Sequence, residues 1–477
     1  MPFREVMVLD RKRSAWLDVL TPIQILAICF LAAITVGTIL LWLPLSTADG
    51  QRPMTFIDSL FTATSSVCVT GLIVVDTGPQ FSGFGEGVIL LLIQLGGLGT
   101  MTASTIVLLA LGQRASLRNL NMLRDEYTVS GIGSTRRLIL VIVAFTVIAE
   151  AAGAVILTRQ LSGDPRVSCA AWSGIFHSVS AFCNAGFSLF PDSFTRYRGD
   201  LTVNLVVPLL IVFGGIGFPA LIGLCRKIGL RLRGVRSALS LHAKIVFAAT
   251  LVLLILGTAV FFGLESAGDE LGGAPFFERL GAGWFQSVTT RTAGFNTIDF
   301  GRASEPTLLL AIVLMVIGGS PGSTAGGVKT TTFVVIVLVV VARLRGHERV
   351  EAGGRTIPTA VITKALVVAL LGVTLIATAT LLLLITDGTA IREAAAQNGW
   401  THGSFVSLLF EVVSAFGTVG LSVLNTAATG SLTWMGKLVI IGVMYLGRLG
   451  PLALAQMVLA ADKPLKYRYP EEHLLVG

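Results

Sequence analysis

Four copies of one short pattern, each ending in glycine, constrain this chain more than any other feature. They are Phe61 to Gly71 (FTATSSVCVTG), Phe176 to Gly186 (FHSVSAFCNAG), Trp284 to Gly294 (WFQSVTTRTAG) and Phe410 to Gly420 (FEVVSAFGTVG). They align without gaps. An aromatic residue stands ten positions before each glycine, and Leu72, Phe187, Phe295 or Leu421 follows it. Long apolar segments flank every copy. Four copies in register make an internal repeat, whose unit reads as membrane helix, short re-entrant helix, glycine turn, membrane helix.

The chain of 477 residues is 53% hydrophobic and only 13% charged, whereas a soluble domain is about 25% charged. That composition marks an integral membrane protein whose length the repeats account for. The net charge of +8 sits in short loops between spans, which reflects membrane topology and not nucleic-acid binding. Cys29, Cys68, Cys169, Cys183 and Cys225 show no metal-ligand spacing and are read as small buried residues, with no disulfide framework. No cleavable signal peptide is evident: the apolar run starting near Pro22 is too long.

Eight spans follow from the apolar runs: about 23–43, 87–111, 138–157, 201–224, 245–264, 307–341, 365–385 and 438–459. The first, of about 20 residues, matches a hydrocarbon core of about 30 Å. The expected divisions are an N-terminal segment (1–21), pore repeat 1 (22–112), repeat 2 with its preceding loop (113–226), repeat 3 with a broken last helix (227–345), repeat 4 (346–460) and a C-terminal tail (461–477). Lysine and arginine concentrate in the inter-repeat loops and at both termini. By the positive-inside rule both termini are cytoplasmic, and the repeat glycines enter from the other side. The protein is therefore expected in the cell membrane as a multi-pass chain. The basic loops could equally meet a separate cytoplasmic protein or anionic lipid headgroups.

A re-entrant loop puts non-helical backbone at membrane depth, where each unsatisfied polar group costs several kcal/mol unless it is buried in protein or lines a water-filled path. Four such loops can surround one axis. Glycine admits backbone angles that let successive carbonyls point the same way, and a ring of carbonyls can replace the hydration shell of a monovalent cation. Each short helix also aims its negative end at that axis. The turns share no carboxylate: Thr70, Ala185, Ala293 and Val419, with Thr418 before it, precede the glycines. A divalent site usually needs acidic oxygens. The alternative is that these glycines only permit close helix packing. Gly37, Gly96, Gly97 and Gly214 are read that way, and the aromatics as packing anchors.

At this point the chain resembles the Ktr/Trk/HKT superfamily of potassium transporters, and within it the KtrB-type membrane subunit. The residues that carry the resemblance are Val67-Cys68-Val69-Thr70-Gly71-Leu72, Asn184-Ala185-Gly186-Phe187, Thr289-Thr290-Arg291-Thr292-Ala293-Gly294-Phe295, Gly417-Thr418-Val419-Gly420-Leu421, the broken sixth span from Gly318 to Lys329, and Gly447-Arg448-Leu449-Gly450-Pro451. The resemblance implies an all-α polytopic membrane protein with four tandem helix, re-entrant pore loop, helix repeats around one pseudo-fourfold pore. It implies a potassium filter at Val69, Thr70, Gly71, Asn184, Ala185, Gly186, Thr292, Ala293, Gly294, Thr418, Val419 and Gly420. Some sodium-selective plant relatives carry serine at the first glycine; this chain keeps Gly71, which reads as potassium selectivity. Potassium is then the transported ion, with sodium as a coupling or activating ion left open, and no cofactor in this chain. A homodimer resting on a separate nucleotide-binding cytoplasmic ring is also implied.

The sixth span breaks at Gly318-Gly319-Ser320-Pro321-Gly322-Ser323-Thr324-Ala325-Gly326-Gly327. Glycines with a proline account for such a break. Its small residues suit a loop that blocks a path and moves aside, and the resemblance implies that this loop is a gate; the gate residues are read as Gly318, Gly319, Ser320, Gly322, Ser323, Thr324, Gly326 and Gly327, with Lys329 and Arg448 beside them. Arg448, mid-span, is read either as facing the path near this loop or as a structural arginine. Arg291 is read as a tether behind the third turn, Lys329 as a group bonding the loop, and Glu150 as a weaker intramembrane candidate. A passive kink and a broken-helix secondary transporter for a small organic solute remain alternatives; the latter wants paired broken helices, and only the sixth span reads as clearly broken. The histidines His177, His242, His347, His402 and His473 form no motif, which disfavours an enzyme.

Overall fold

The computed structural model describes residues 22–114, 135–266, 271–398, 404–424, 429–430 and 432–450. The N-terminal basic segment, most of the basic loop before the third span, the end of the expected eighth span after Gly450 and the C-terminal tail lie outside the described residues. The rest is mostly helical. Among the described residues, five helices are long and apolar enough to cross a membrane, or six if one bent pair is counted as one span. Shorter apolar helices run Glu305–Val316, Thr330–Leu344 and Phe405–Gly417. Large apolar side chains such as Leu31, Ile148, Ile255, Leu370 and Ile385 stay exposed along the long helices, as an apolar solvent permits.

Four short helices, Phe56–Cys68, Ala170–Phe182, Phe276–Thr289 and Ser404–Gly417, lie among the long ones. Phe61, Phe176 and Phe410 on them are fully buried, as are Phe187 and Phe295 just after two of the turns. The first, second and fourth short helices each pack on the long helices before and after them in the chain. Each of the four also packs on a helix that follows the turn of another repeat: Ala170–Phe182 on Gly83–Arg114, Phe276–Thr289 on Leu201–Ile216, Ser404–Gly417 on Glu305–Val316, and Phe56–Cys68 on Trp434–Leu449. Lys437 and Asp58 join that last pair with a 2.7 Å ion pair, largely withdrawn from solvent.

The fourth span corrects one expectation. It is not continuous to residue 224: Leu201–Ile216 and Phe218–Leu232 meet at a 100° bend. Gly217 makes the corner with φ 88°, a backbone conformation that L side chains rarely adopt, and Pro219 opens the second helix. The sixth span is thus not the sole broken one. The cysteines also divide: Cys68 and Cys183 are buried, but Cys29, Cys169 and Cys225 are exposed. An apolar neighbourhood in the sequence does not separate a core position from a lipid-facing one.

Candidate functional site: four glycine turns and the broken segment

Each short helix ends in the same backbone shape. Gly71, Gly186, Gly294 and Gly420 have φ of 90°, 71°, 83° and 92°. Two residues earlier, Val69, Asn184, Thr292 and Thr418 also have positive φ, from 49° to 74°. Three of those four are β-branched, for which this region is strongly disfavoured, at a cost of about 1–3 kcal/mol each. Hydrogen bonds hold them there. In the first repeat Val69 N–H bonds the Ser66 carbonyl at 3.1 Å and Thr70 N–H that of Ser65 at 2.8 Å, a Schellman closure. Asn184 and Ala185 close on Ala181 and Ser180 in the same way, and Thr418 and Val419 on Ala415 and Ser414. The third turn differs: Ala293 N–H bonds the Thr289 carbonyl. Val288 stands there where the other copies have Ser65, Ser180 and Ser414.

Those serines add a second layer. Ser65 Oγ accepts from Gly71 N–H at 3.1 Å and Ser414 Oγ from Gly420 N–H at 3.0 Å, while Ser180 Oγ donates to the Phe187 carbonyl at 2.8 Å. Thr289 Oγ1 donates to the Phe295 carbonyl at 2.6 Å. The four glycines neighbour one another in order. A Cβ added to Gly71 would lie 3.0 Å from Gly186 Cα, one on Gly186 3.0 Å from Gly294 Cα, one on Gly294 3.2 Å from Gly420 Cα, and one on Gly420 2.9 Å from Gly71 Cα. The backbones approach so closely that no side chain fits between them.

Side chains overlooked in the sequence brace the chain that leaves each turn. His177, one residue after its repeat's aromatic, lies with Nε2 3.0 Å from Ser188 Oγ and accepts from Leu189 N–H at 3.3 Å. Glu411, at the same repeat position, takes Ser422 Oγ–H at 2.5 Å, Val423 N–H at 3.0 Å and Leu424 N–H at 3.3 Å on Oε1. Gln286, one position later, donates to Thr297 Oγ1 at 3.2 Å. The first repeat has Thr62 instead, whose Oγ1 has no hydrogen-bond partner among the described residues. Reading the repeat column by column was the available signal.

Beyond the glycines opens a cavity of about 490 Å³, lined by all four of them and by the residues that follow. Asp76, Asp192 and Asp299, five or six residues after their glycines, stand on its wall. Burial would raise the Asp192 carboxyl, but hydrogen bonds from Arg196 and Thr195 outweigh it and hold the group below the usual carboxylate range. Asp192 is therefore anionic at neutral pH.

The broken segment meets the turns at the residues two before the glycine. Asn184 and Thr324 are 3.2 Å apart through their side chains, and a Cβ on Gly326 would strike Thr418. The segment is largely buried, and several of its backbone groups are bonded. Ser320 and Thr324 N–H donate to the carbonyls of Gly215 and Gly214 at 3.0 and 3.2 Å, and Gly318 N–H to Val328 at 2.9 Å. Lys329 Nζ donates to the Ala325 carbonyl at 2.6 Å. Arg448 spans two elements: one guanidinium nitrogen donates to the Thr324 carbonyl, the other to the Gly96 carbonyl at 3.0 Å and Thr100 Oγ1 at 2.8 Å. Arg291 reaches Thr330 Oγ1 at 3.4 Å. Glu150 accepts from Gln94 at 3.1 Å, the partner its sequence position did not reveal.

The family model described as TrkH, cation transport protein, matches residues 4–464. The chain is 39% identical to the Ktr system potassium uptake protein B of Bacillus subtilis, over 96% of this chain and 97% of that protein. It is 36% identical to the potassium/sodium uptake protein NtpJ of Enterococcus hirae, over 96% and 98%. Its fold is similar to the solved structure of the potassium transporter TrkH from Vibrio parahaemolyticus, with a TM-score of 0.70 at 18% identity, covering 96% of this chain and 88% of that one.

Proposed function

This chain belongs to the TrkH family of cation transport proteins, and from that premise we propose that it is the potassium-translocating membrane subunit of a Ktr/Trk-type uptake system. The observation that carries the proposal is the cyclic contact of Gly71, Gly186, Gly294 and Gly420 at the floor of one cavity. In this reading the four repeats surround a single pseudo-fourfold pore, with the termini in the cytoplasm. Carbonyls of residues 69–71, 184–186, 292–294 and 418–420 replace potassium's hydration shell. The left-handed residue two before each glycine supports it, because alternating backbone handedness turns successive carbonyls toward one side.

The segment at 318–327 acts as the gate. Its contacts with Asn184 and Thr418 support this, as does Arg448, which clasps its Thr324 carbonyl to the Gly96 carbonyl. The chain works as a homodimer on a separate cytoplasmic nucleotide-binding ring; the relative's name, protein B of a Ktr system, supports a system of several components. The relatives are transporters and not enzymes, and their names point to potassium, with sodium beside it for NtpJ, in place of an organic solute. The test is growth of a potassium-uptake-deficient bacterium at low potassium. Expression of this chain with its cytoplasmic partner restores growth; failure of well-expressed protein to do so contradicts the proposal.

A further inference from the structure

The helix Phe218–Leu232 turns 100° away from the apolar helix that precedes it, nearly at right angles to a span that crosses the bilayer. Its first turn is packed: Phe218, Ala220 and Leu221 are buried, and Leu221 belongs to a small cluster with Ala243 and Val246. Its far end is not. Cys225, Ile228 and Leu232 continue the line of Leu221 at helical spacings of four, seven and eleven residues, which places them on one face. All three are exposed, Ile228 at 51% and Leu232 at 84%. Arg226, Lys227 and Arg231 lie on the rest of the circumference, the first two half-buried and Arg231 exposed, and Arg233 and Arg236 follow, both exposed. The sequence holds no Asp or Glu between Asp200 and Glu265.

A helix with an exposed apolar stripe and only basic charges beside it is built to sit at a bilayer surface, and the uniform sign of its charge selects the lipid. We infer that Phe218–Leu232 is a binding site for anionic phospholipid, with Cys225, Ile228 and Leu232 in the acyl boundary and Arg226, Lys227 and Arg231 among the headgroup phosphates. The site is joined to the broken segment: Phe218 N–H donates to the Gly322 carbonyl at 3.0 Å, and Gly217 lies against the Pro321 carbonyl. The inference rests on the membrane placement of the chain and not on which ion it carries.

The test uses the full chain in nanodiscs with Cys29 and Cys169 replaced by serine, so that Cys225 is the exposed thiol, carrying a fluorophore. Spin-labelled phosphatidylglycerol or spin-labelled phosphatidylcholine is added at equal mole fraction, and iodide serves as the aqueous quencher. Lipid labels quench the probe and iodide does so poorly. The anionic label quenches more, and that excess falls about five-fold for each charge removed in Arg226→Gln, Lys227→Gln and Arg231→Gln. The corresponding arginine-to-lysine changes retain it, which separates loss of charge from misfolding. Equal quenching by both lipids overturns the anionic site. Quenching by iodide alone overturns membrane contact, and protection from iodide only when the cytoplasmic partner is added assigns the face to that protein instead. Transport is not read, so the outcome is independent of the proposed potassium function.

Discussion

The N–H of Val423 donates to Oε1 of Glu411 at 3.0 Å, tying the chain that leaves Gly420 to the helix that leads into it. The same carboxylate oxygen holds Ser422 and Leu424, so one buried side chain fixes three residues of the fourth turn. Glu411→Ala leaves two backbone N–H groups without that acceptor, at about 1–3 kcal/mol for each buried unsatisfied group. The variant should unfold at lower temperature and discriminate potassium from sodium less well. Glu411→Gln keeps one acceptor oxygen and should lie between. An unchanged ion ratio in folded Glu411→Ala would show that this brace does not shape the turn.

Arg448 should act as a clasp. Arg448→Met keeps much of the side chain's bulk and removes its bonds to Thr324, Gly96 and Thr100. Flux without the cytoplasmic partner should rise several-fold as the segment is released. Arg448→Lys should restore part of the closure, because an ammonium keeps the charge but loses the guanidinium fork. Flux in monodisperse Arg448→Met that matches the parent chain would count against the clasp.

The packing glycines separate by what their missing side chain would meet. A Cβ on Gly96 would lie 3.0 Å from Val69 Cγ2 and strike the Val67 carbonyl; on Gly447 it would strike that of Phe416. Gly96→Ala and Gly447→Ala should each destabilise by roughly 1–3 kcal/mol through overpacking. Gly87→Ala, where nothing lies within 4 Å, should be neutral or mildly stabilising. Thermal unfolding of the three purified variants decides it, and equal melting temperatures would contradict this reading of the helix contacts.

Much of this was legible in the sequence because the repeat is local. A glycine needing positive φ, an aromatic packing ten residues behind it and an apolar residue after it are read within one copy. What was not legible depends on context. Val69, Thr292 and Thr418 belong to a residue class that avoids left-handed backbone, and nothing in their type announces it. The corner at Gly217 carried a signal in the nearby Pro219 and the basic residues close behind, yet the apolar run alone reads through it. Lys437 and Asp58 are 379 positions apart, and only the packing of Phe56–Cys68 on Trp434–Leu449 brings them together. His177 and Glu411 were readable by comparing the copies position by position, where a polar residue after the aromatic recurs.

If the four glycine turns form one potassium-selecting ring, ion preference depends on Gly71. The most direct measurement is rubidium and sodium flux into liposomes containing the purified chain, with and without its cytoplasmic partner, for the parent and for Gly71→Ser. At φ 90° and against the Ala185 carbonyl, serine forces the first turn to shift. Rubidium preference in the parent and its clear loss in folded Gly71→Ser are the predicted result. Equal selectivity in the two proteins would remove Gly71 from the ring and contradict the account.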